Sequence, residues 1–398
     1  MRRGILVFFW LLGCGGGDDE APPALDTAVT PEADVVLLPP LTSAEVAAAG
    51  PYAAGTFDVS LTDVTRPIAP TDTFPGADAR AVAVTVWYPA VGAAGSEAAT
   101  DAAAATGGPF PVLVYSHGFM SNAGENASLL SWLATHGVIT LAPTFPRTNG
   151  NAEGGADILD AVNQPGDITL ALGWLEAANQ DSSHRLHGEV DISRVVSAGM
   201  SLGGLTSALV GFFPKLKDKR ITAVASMAGP LCLLPDSVYP HDGRPLFLLY
   251  GRGDAIAPYE ANGPKAYAAA AAPKWLVSVE GGTHLGFASA AADVFAGVAD
   301  PDGIGCATLE KALAGKDLAD IVTDLGFAPG ETDASSCPSP CSAPAQGTKL
   351  STDQQAALLP LTLGAFVRYA VTQDPRLAEF LATTLAKEHG EVTVEASP

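Results

Sequence analysis

The chain has 398 residues, of which 47% are hydrophobic, so it is long enough to bury a large core. Its 21 basic and 43 acidic residues give a formal net charge of -22. A field of this sign repels phosphate backbones and anionic lipid surfaces, and we therefore expect no nucleic-acid partner.

The N-terminus has the pattern of an export signal. Two arginines precede an apolar run at residues 5–12 that is too short to span a bilayer. The segment LLGC, which ends at Cys14, resembles the bacterial lipobox, whose cysteine is lipidated; an ordinary cleaved signal or a buried strand is the alternative. We predict a signal peptide at residues 1–13, lipidation of Cys14, and a flexible tether at residues 14–50. The protein would then be an exported, membrane-anchored lipoprotein facing the periplasm or cell surface, or a secreted one, and only the anchor would contact the membrane.

Short apolar runs rich in β-branched residues predict the strands of a sheet, at residues 55–62, 81–88, 111–115, 138–142, 194–198, 221–227, 245–250 and 275–279. Helical periodicity follows some of these runs, at residues 126–136 and 167–178. This alternation predicts an α/β fold with a mostly parallel sheet of about eight strands and helices on both faces. The first two strands have no helix between them and are expected to form an antiparallel edge. The alanine-rich residues 92–108 are expected to form a surface loop.

The alternation of predicted strands and helices ends after residue 285. Residues 288–299 are predicted to be helical, and residues 300–349 resemble a loop. Helices are expected again at residues 351–372 and 376–389, separated by Asp374-Pro375. We therefore predict one α/β domain over residues 51–398, with an insertion-like loop region at 285–350 and C-terminal helices at 351–389.

Four cysteines remain when Cys14 is set aside, namely Cys232, Cys306, Cys337 and Cys341. An even number in an exported protein predicts two disulfides, and four cysteines allow three pairings. A zinc site is the alternative. The CPSPC segment has three intervening residues and no nearby histidine, which disfavours zinc. We therefore predict disulfides and no metal.

The segment GMSLG around Ser201 matches the pattern G-x-S-x-G, which is weak evidence by itself. Here an apolar strand, Val195-Val196, runs into it and a helical segment begins at Leu205. That is the setting of a nucleophile elbow, in which a strand-to-helix turn exposes a serine hydroxyl. We predict that Ser201 is a nucleophile, and a serine in a glycine-rich turn is the alternative.

A serine nucleophile needs a base, and the base needs an orienting carboxylate. Asp254 follows the predicted strand at 245–250, and His284 follows the one at 275–279. The order Ser, Asp, His is the chain order that this machinery requires. The alternatives are a turn aspartate that binds its own backbone and a loop histidine that caps a turn.

Acyl transfer also needs N–H donors for the oxyanion of the tetrahedral intermediate. The N–H of Leu202, directly after the nucleophile, is one candidate. The second is the N–H of Phe119, in the loop after the predicted strand at 111–115, where we expect His117 to brace the backbone. The Phe119 ring is expected to cover the acyl pocket, with plain core packing as the alternative.

Four segments together resemble the α/β-hydrolase superfamily: PFPVLVYSHGF, GMSLGG, GRGDAIAP and GGTHLGF. The resemblance covers about residues 50–285. It is strongest to the dienelactone-hydrolase-like branch, which includes platelet-activating-factor acetylhydrolase-like and cutinase-like polyester hydrolases. Dienelactone hydrolases proper have a cysteine nucleophile where this chain has Ser201.

The resemblance implies a serine hydrolase of carboxylic esters that acts through an acyl-enzyme without a metal or organic cofactor. A carboxylesterase, a lipase-like enzyme or an acetylhydrolase would fit, with a small-molecule or lipid ester as substrate, and we expect a monomer. Amide or thioester hydrolysis by the same residues and a non-catalytic surface-binding homologue are the alternatives.

Overall fold

The computed structural model describes residues 38–239, 242–313, 318–327, 337–342 and 348–398. The predicted signal peptide at 1–13 and the predicted lipidation site Cys14 lie outside the described residues. The chain divides into a unit of residues 1–39 and a compact unit of residues 40–398. Within the described ranges, no helix has the length and apolar character needed to cross a bilayer.

The described residues form ten strands: β1 Ala53–Asp63, β2 Arg80–Ala90, β3 Gly95–Thr100, β4 Phe110–Ser116, β5 Ile139–Thr144, β6 Val190–Met200, β7 Ile221–Met227, β8 Leu246–Gly251, β9 Lys274–Val279 and β10 Val392–Ser397. They build one sheet in the order β10-β9-β8-β7-β6-β4-β5-β2-β1-β3. Strands β5, β4, β6, β7, β8 and β9 run parallel to one another. β2 joins them antiparallel to β5, and β10 closes the other end antiparallel to β9.

Twelve α-helices occur in the same ranges: α1 Ser43–Ala47, α2 Ala127–Thr135, α3 Gln164–Gln180, α4 Leu202–Phe212, α5 Tyr259–Ala269, α6 Ser289–Val294, α7 Pro301–Ala312, α8 Leu318–Asp324, α9 Thr352–Ala356, α10 Ala365–Thr372, α11 Pro375–Glu379 and α12 Leu385–Glu388. Short 3-10 segments lie at Ala123–Asn126, Ile158–Asn163, Leu231–Leu233, Asp236–Val238 and Leu285–Phe287. Two π-helical segments lie at Pro360–Gly364 and Phe380–Thr384.

The central strands are buried on both faces, which explains why they are almost continuously apolar. On β4, Val112 and Val114 pack into one core cluster, whereas Leu113 and Tyr115 pack into the other. Helices α3, α4 and α5 cover the first cluster, and α2, α10 and α12 cover the second. The predicted α/β class, the mostly parallel sheet and the helices on both faces are confirmed.

The predicted number of strands was too low. β3 lies in the alanine-rich stretch that was expected to be a loop, and its sequence GSEAAT has no large apolar side chain. It forms the outer edge of the sheet and has β1 as its single neighbouring strand. An edge strand can therefore form without the large apolar side chains of a buried strand. β1 and β2 are antiparallel as predicted, but β3 rather than β1 is the outermost strand. β10 lies beyond the last predicted helix, which ended at residue 389, and no strand was predicted there; its sequence VTVEAS alternates apolar and polar residues over its first four positions.

The prediction of a loop over residues 300–349 was also wrong, because this range contains α7 and α8. The start of α7 carries a regular signal: the Asp300 side chain accepts a hydrogen bond from the Gly303 N–H, and Pro301 occupies the first turn. The predicted break between the last helices at Asp374-Pro375 is present, with the Asp374 side chain accepting from the Arg376 N–H.

Both predicted disulfides are present, and the structure settles their pairing. Cys232 is bonded to Cys337, with a sequence separation of 105 residues, and Cys306 is bonded to Cys341, with a separation of 35. Two disulfides are consistent with an exported protein, because such bonds persist in oxidising compartments.

The compact unit includes residues that were assigned to the tether. Helix α1 begins with a capping box between Thr42 and Glu45. The carbonyl oxygen of Val46 accepts from the Arg368 guanidinium at 2.9 Å, and that of Ala47 accepts from the Trp132 indole at 3.1 Å. Residues 40–50 therefore lie within the compact unit, although the sequence placed them in the tether.

Candidate active site

Ser201 lies at the sharp turn between β6 and α4. Its φ of 55° and ψ of -121° form a left-handed conformation that residues with a side chain rarely adopt. The Ser201 N–H donates to the carbonyl oxygen of Met227 at 2.8 Å. A Cβ on Gly203 would lie 2.0 Å from the Ser116 carbonyl oxygen, and one on Gly199 would lie 2.4 Å from the Gly203 oxygen. The two glycines therefore permit the tight turn that presents the serine.

Asp254 and His284 lie after neighbouring parallel strands, β8 and β9, whose carboxyl ends meet at the same edge of the sheet. His284 Nδ1 is 2.8 Å from Asp254 Oδ2, and both side chains are buried. The other carboxylate oxygen accepts from the N–H groups of Ile256 at 2.8 Å and Ala257 at 2.7 Å. An ionised carboxylate only accepts hydrogen bonds, so Nδ1 donates and Nε2 is left as the basic nitrogen of the ring.

The pKa of His284 is raised above its ordinary value. Burial by itself lowers this pKa, but the charge of Asp254 and its hydrogen bond to the ring, followed by the charges of Asp302 and Glu125, outweigh that effect. A raised pKa favours the imidazolium, which is the form that a base takes after it has accepted a proton.

A cavity of about 410 Å³, hereafter the open cavity, brings Ser201 and His284 to one site. Its walls also include Phe119, Met120 and Ile304. Thus Ser201 and His284 line the same space, and Asp254 binds the ring nitrogen of His284. In the described part of the chain, no group of three or more His, Cys, Asp or Glu side chains is arranged to hold a metal ion.

Phe119 and Leu202, whose N–H groups are the predicted oxyanion donors, each line a cavity that Ser201 also lines. Phe119 lines the open cavity, and Leu202 is the first residue of α4, where backbone N–H groups have no partner within the helix. Backbone hydrogen bonds hold the two residues that follow Phe119 in the chain. The Met120 N–H donates to the carbonyl oxygen of Thr148 at 2.7 Å, and the Ser121 N–H donates to the carbonyl oxygen of Gly118 at 3.1 Å.

His117 braces this loop. Its Nδ1 is 2.7 Å from the Gly118 carbonyl oxygen, and its Nε2 is 3.0 Å from the backbone nitrogen of Phe145, which donates to it. Complete burial lowers the pKa of His117 to about 4, so the ring is neutral at pH 7. A neutral ring can donate through Nδ1 while accepting through Nε2, as these two contacts require.

Asp302 is a site residue that the sequence analysis missed. Its buried carboxylate accepts from the backbone N–H groups of His284 at 2.8 Å, Leu285 at 3.0 Å and Ala255 at 3.2 Å. Ala255 directly follows Asp254, so one side chain from α7 joins the loop of the predicted acid to the loop of the predicted base. Burial raises the pKa of Asp302, as does the charge of Asp254, whereas His284 and the N–H donors lower it. The Asp300-Pro301 sequence indicates the start of helix α7. It does not indicate which backbone N–H groups donate to the Asp302 carboxylate.

Glu125 supports the loop that carries Phe119. Its buried carboxylate accepts from the Tyr115 hydroxyl at 2.7 Å and from the Gly118 N–H at 2.9 Å. Burial raises the pKa of Glu125, while these two hydrogen bonds lower it. Glu125 was not predicted as a site residue, because a glutamate before a helix is ordinarily a surface residue.

No protein-family profile and no curated protein matches this chain. Among solved structures, it is similar to a ferulic acid esterase from Streptomyces cinnamoneus, with a TM-score of 0.57 and 18% sequence identity. The similarity covers 86% of this chain and 96% of the esterase chain. The two proteins share a fold. It is a mixed α/β fold, in which a mostly parallel sheet carries helices on both faces.

Proposed function

We propose that this protein is a serine hydrolase that cleaves carboxylic esters through an acyl-enzyme intermediate. The observation that carries the proposal is the arrangement of three side chains. Ser201 sits in a left-handed turn and shares a cavity with His284, whose Nδ1 is 2.8 Å from Asp254. The esterase fold of the solved neighbour adds to this support.

In the proposed first step, Ser201 Oγ forms a bond to the ester carbonyl carbon while His284 Nε2 takes the hydroxyl proton. Asp254 holds the ring in the orientation that leaves Nε2 free, and its charge stabilises the imidazolium. The raised pKa of His284 suits this task, because a stronger base withdraws the proton more readily.

The tetrahedral intermediate carries its negative charge on the former carbonyl oxygen, which accepts from the N–H groups of Phe119 and Leu202. When the intermediate collapses, the bond to the alcohol oxygen breaks and His284 gives that oxygen its proton. Water, deprotonated by His284, then attacks the acyl-serine and releases the acid. These steps need no metal or organic cofactor.

Three narrower parts of the proposal rest on the sequence. The four motifs favour the dienelactone-hydrolase-like branch, and the N-terminal pattern favours an exported lipoprotein anchored through Cys14. The net charge of -22 favours a small-molecule or lipid ester over nucleic acid. We further propose that the protein acts as a monomer.

The test compares Ser201→Ala with Ser193→Ala, which removes an exposed hydroxyl earlier on the same strand. We expect Ser201→Ala to lower kcat for p-nitrophenyl acetate by about 10³-fold or more and to abolish labelling by a small fluorophosphonate. Ser193→Ala should retain both the hydrolysis of p-nitrophenyl acetate and the labelling. Undiminished hydrolysis by Ser201→Ala would overturn the assignment, and a wild type that takes no label would favour a non-catalytic binding protein. Matched amides and thioesters would separate the remaining enzyme classes.

A further inference from the structure

A buried hydrogen-bond network lies between the helix that follows Ser201 and the loop that carries Phe119. At its centre is Gln164, the first residue of α3, whose side chain is completely buried. Its Nε2 donates to the Thr148 hydroxyl at 2.7 Å, and its Oε1 accepts from the Thr206 hydroxyl. Thr148 and Thr206 are also completely buried. One side chain therefore joins two segments that are far apart in the chain.

Each end of this network leads to a proposed oxyanion donor. The single proton of the Thr206 hydroxyl is shared with the carbonyl oxygen of Leu202, one turn earlier in α4, at 3.0 Å. The carbonyl oxygen of Thr148 accepts from the Met120 N–H at 2.7 Å, and Met120 directly follows Phe119. The proposed donors are the N–H groups of Leu202 and Phe119, so the network joins the two residues that carry them.

A buried amide costs free energy unless its donor and its acceptor are both paired. At Gln164 both are paired, and the pairing fixes the positions of the two hydroxyl groups relative to each other. An apolar side chain of similar length could fill the same space, but it would not hold Thr148 and Thr206 at a fixed spacing. The polar side chain therefore contributes the relative placement of the two segments.

This placement matters because two N–H groups stabilise an oxyanion only when both lie about 2.7–3.1 Å from the same oxygen. The two proposed donors belong to different elements: Phe119 follows β4, and Leu202 begins α4. Their separation is therefore set by contacts that span both elements, and the network centred on Gln164 is such a contact.

We propose, resting on the function proposed above, that Gln164 is a positioning residue for the oxyanion hole, the pair of N–H groups of Phe119 and Leu202. Its side chain is completely buried, so it acts through Thr148 and Thr206 and not on the substrate. Loss of its two hydrogen bonds leaves both donors present but lets their separation vary. Binding of the substrate is then retained, while the barrier to forming the tetrahedral intermediate rises.

Gln164→Met tests this role, because it removes both hydrogen bonds and keeps a side chain of similar length. We expect kcat for p-nitrophenyl acetate to fall by about 10- to 100-fold and KM to change by no more than about twofold, as for a loss of transition-state stabilisation alone. The acidic limb of the pH profile should stay in place, since Gln164 carries no charge. Gln180→Met, at the exposed end of the same helix, is the control and should retain wild-type kinetics.

An ester with sulfur in place of the carbonyl oxygen separates positioning from a general loss of packing. Sulfur is a weak hydrogen-bond acceptor, so p-nitrophenyl thionoacetate gains little from the oxyanion hole. We expect Gln164→Met to lower the ratio of kcat/KM for the oxygen ester to kcat/KM for the sulfur ester by about tenfold. A ratio equal to that of the wild type would overturn the proposal, because a packing defect slows both substrates alike.

Threonine variants test the same network if Gln164→Met does not fold. Thr148→Val removes the hydroxyl that accepts from Nε2, whereas Thr148→Ser keeps it. We expect Thr148→Val to lower kcat and the ratio of the two esters, and Thr148→Ser to behave as the wild type. Equal kinetics of the valine and serine variants would overturn the role of the network.

Fluorophosphonate labelling of the wild type separates this inference from the function on which it rests. Labelled wild-type protein, together with an unchanged ester ratio in Gln164→Met and Thr148→Val, would overturn the positioning role and leave a serine hydrolase. Wild-type protein that takes no label and hydrolyses neither ester would overturn the proposed function itself.

Discussion

The Oδ2 atom of Asp302 lies 2.8 Å from the backbone nitrogen of His284, whose N–H donates to it. The same oxygen accepts from the Ala255 N–H at 3.2 Å, so a carboxylate on α7 fixes the two loops that hold Asp254 and His284. The contact between the His284 ring and Asp254 thus depends on backbone positions that Asp302, which follows both loops in the chain, holds in place.

We predict that Asp302→Asn lowers kcat/KM for p-nitrophenyl acetate by about tenfold, because removal of one charge-assisted acceptor costs about 1.5–3 kcal/mol at such a site. The negative charge of Asp302 raises the pKa of His284, so its loss lowers that pKa. A base acts when unprotonated, and the acidic limb of the pH profile should therefore move to lower pH. Asp300→Asn keeps a good helix cap and should leave the profile in place. If the acidic limb of the pH profile stays in place in Asp302→Asn, the charge of Asp302 does not raise the pKa of His284.

Asp254→Asn should lower kcat by about 10³- to 10⁴-fold, because an amide can donate to Nδ1 and stabilise the wrong tautomer of His284. Steady-state kinetics would measure the loss, and circular dichroism would show whether the fold persists. Asp236→Asn, in a 3-10 segment before β8, is the control and should retain activity. A folded Asp254→Asn enzyme with ordinary kcat would exclude Asp254 as the orienting acid.

Gly203→Ala should destabilise the protein by more than about 3 kcal/mol, because the new Cβ would lie 2.0 Å from the Ser116 carbonyl oxygen. Gly173→Ala is the matched control: Gly173 lies inside α3, and a Cβ there meets nothing within 4 Å. It should stabilise by up to about 1 kcal/mol through helix propensity. Thermal unfolding of both variants checks the prediction, and equal Tm values would refute it.

The two disulfides should differ in their effects on stability and activity. Loop-closure entropy predicts that loss of Cys232–Cys337 costs about 5 kcal/mol and loss of Cys306–Cys341 about 4 kcal/mol, since the separations are 105 and 35 residues. Cys306, however, lies on α7 with Asp302 and beside residues of the open cavity. Paired serine variants should therefore show the larger loss of activity for Cys306–Cys341, despite its smaller effect on unfolding. Activity losses that follow the stability order would contradict the role of α7.

Labelled palmitate should enter the wild-type protein in a bacterial host and be absent from Cys14→Ser, because we predict from the lipobox-like segment that Cys14 is the acceptor. Ser193→Ala, which changes an exposed side chain and no cysteine, is the control and should keep its label. Label retained in Cys14→Ser would remove the lipid anchor.

Much of the sheet could be predicted from local sequence. The buried strands β4 to β9 are apolar runs, and burial on both faces requires that composition regardless of the neighbour. The edge strands β3 and β10 escaped prediction, because an edge position lets small or alternating residues form a strand. Helix α7 escaped because its glycines and polar residues obscure the helical pattern, although Asp300-Pro301 marks its start.

The sequence by itself determined the order Ser201, Asp254 and His284 after strands β6, β8 and β9, because each residue is set by a local strand-to-turn signal. Only the tertiary structure decided the disulfide pairing, the contacts of Asp302 and Glu125, and the cavity that Ser201 shares with His284. These features depend on residues far apart in the chain that meet when the helices pack on the sheet. The GMSLG segment can specify a sharp turn, but the open cavity beside it is also lined by Val294 and Ile304, which lie on helices far along the chain.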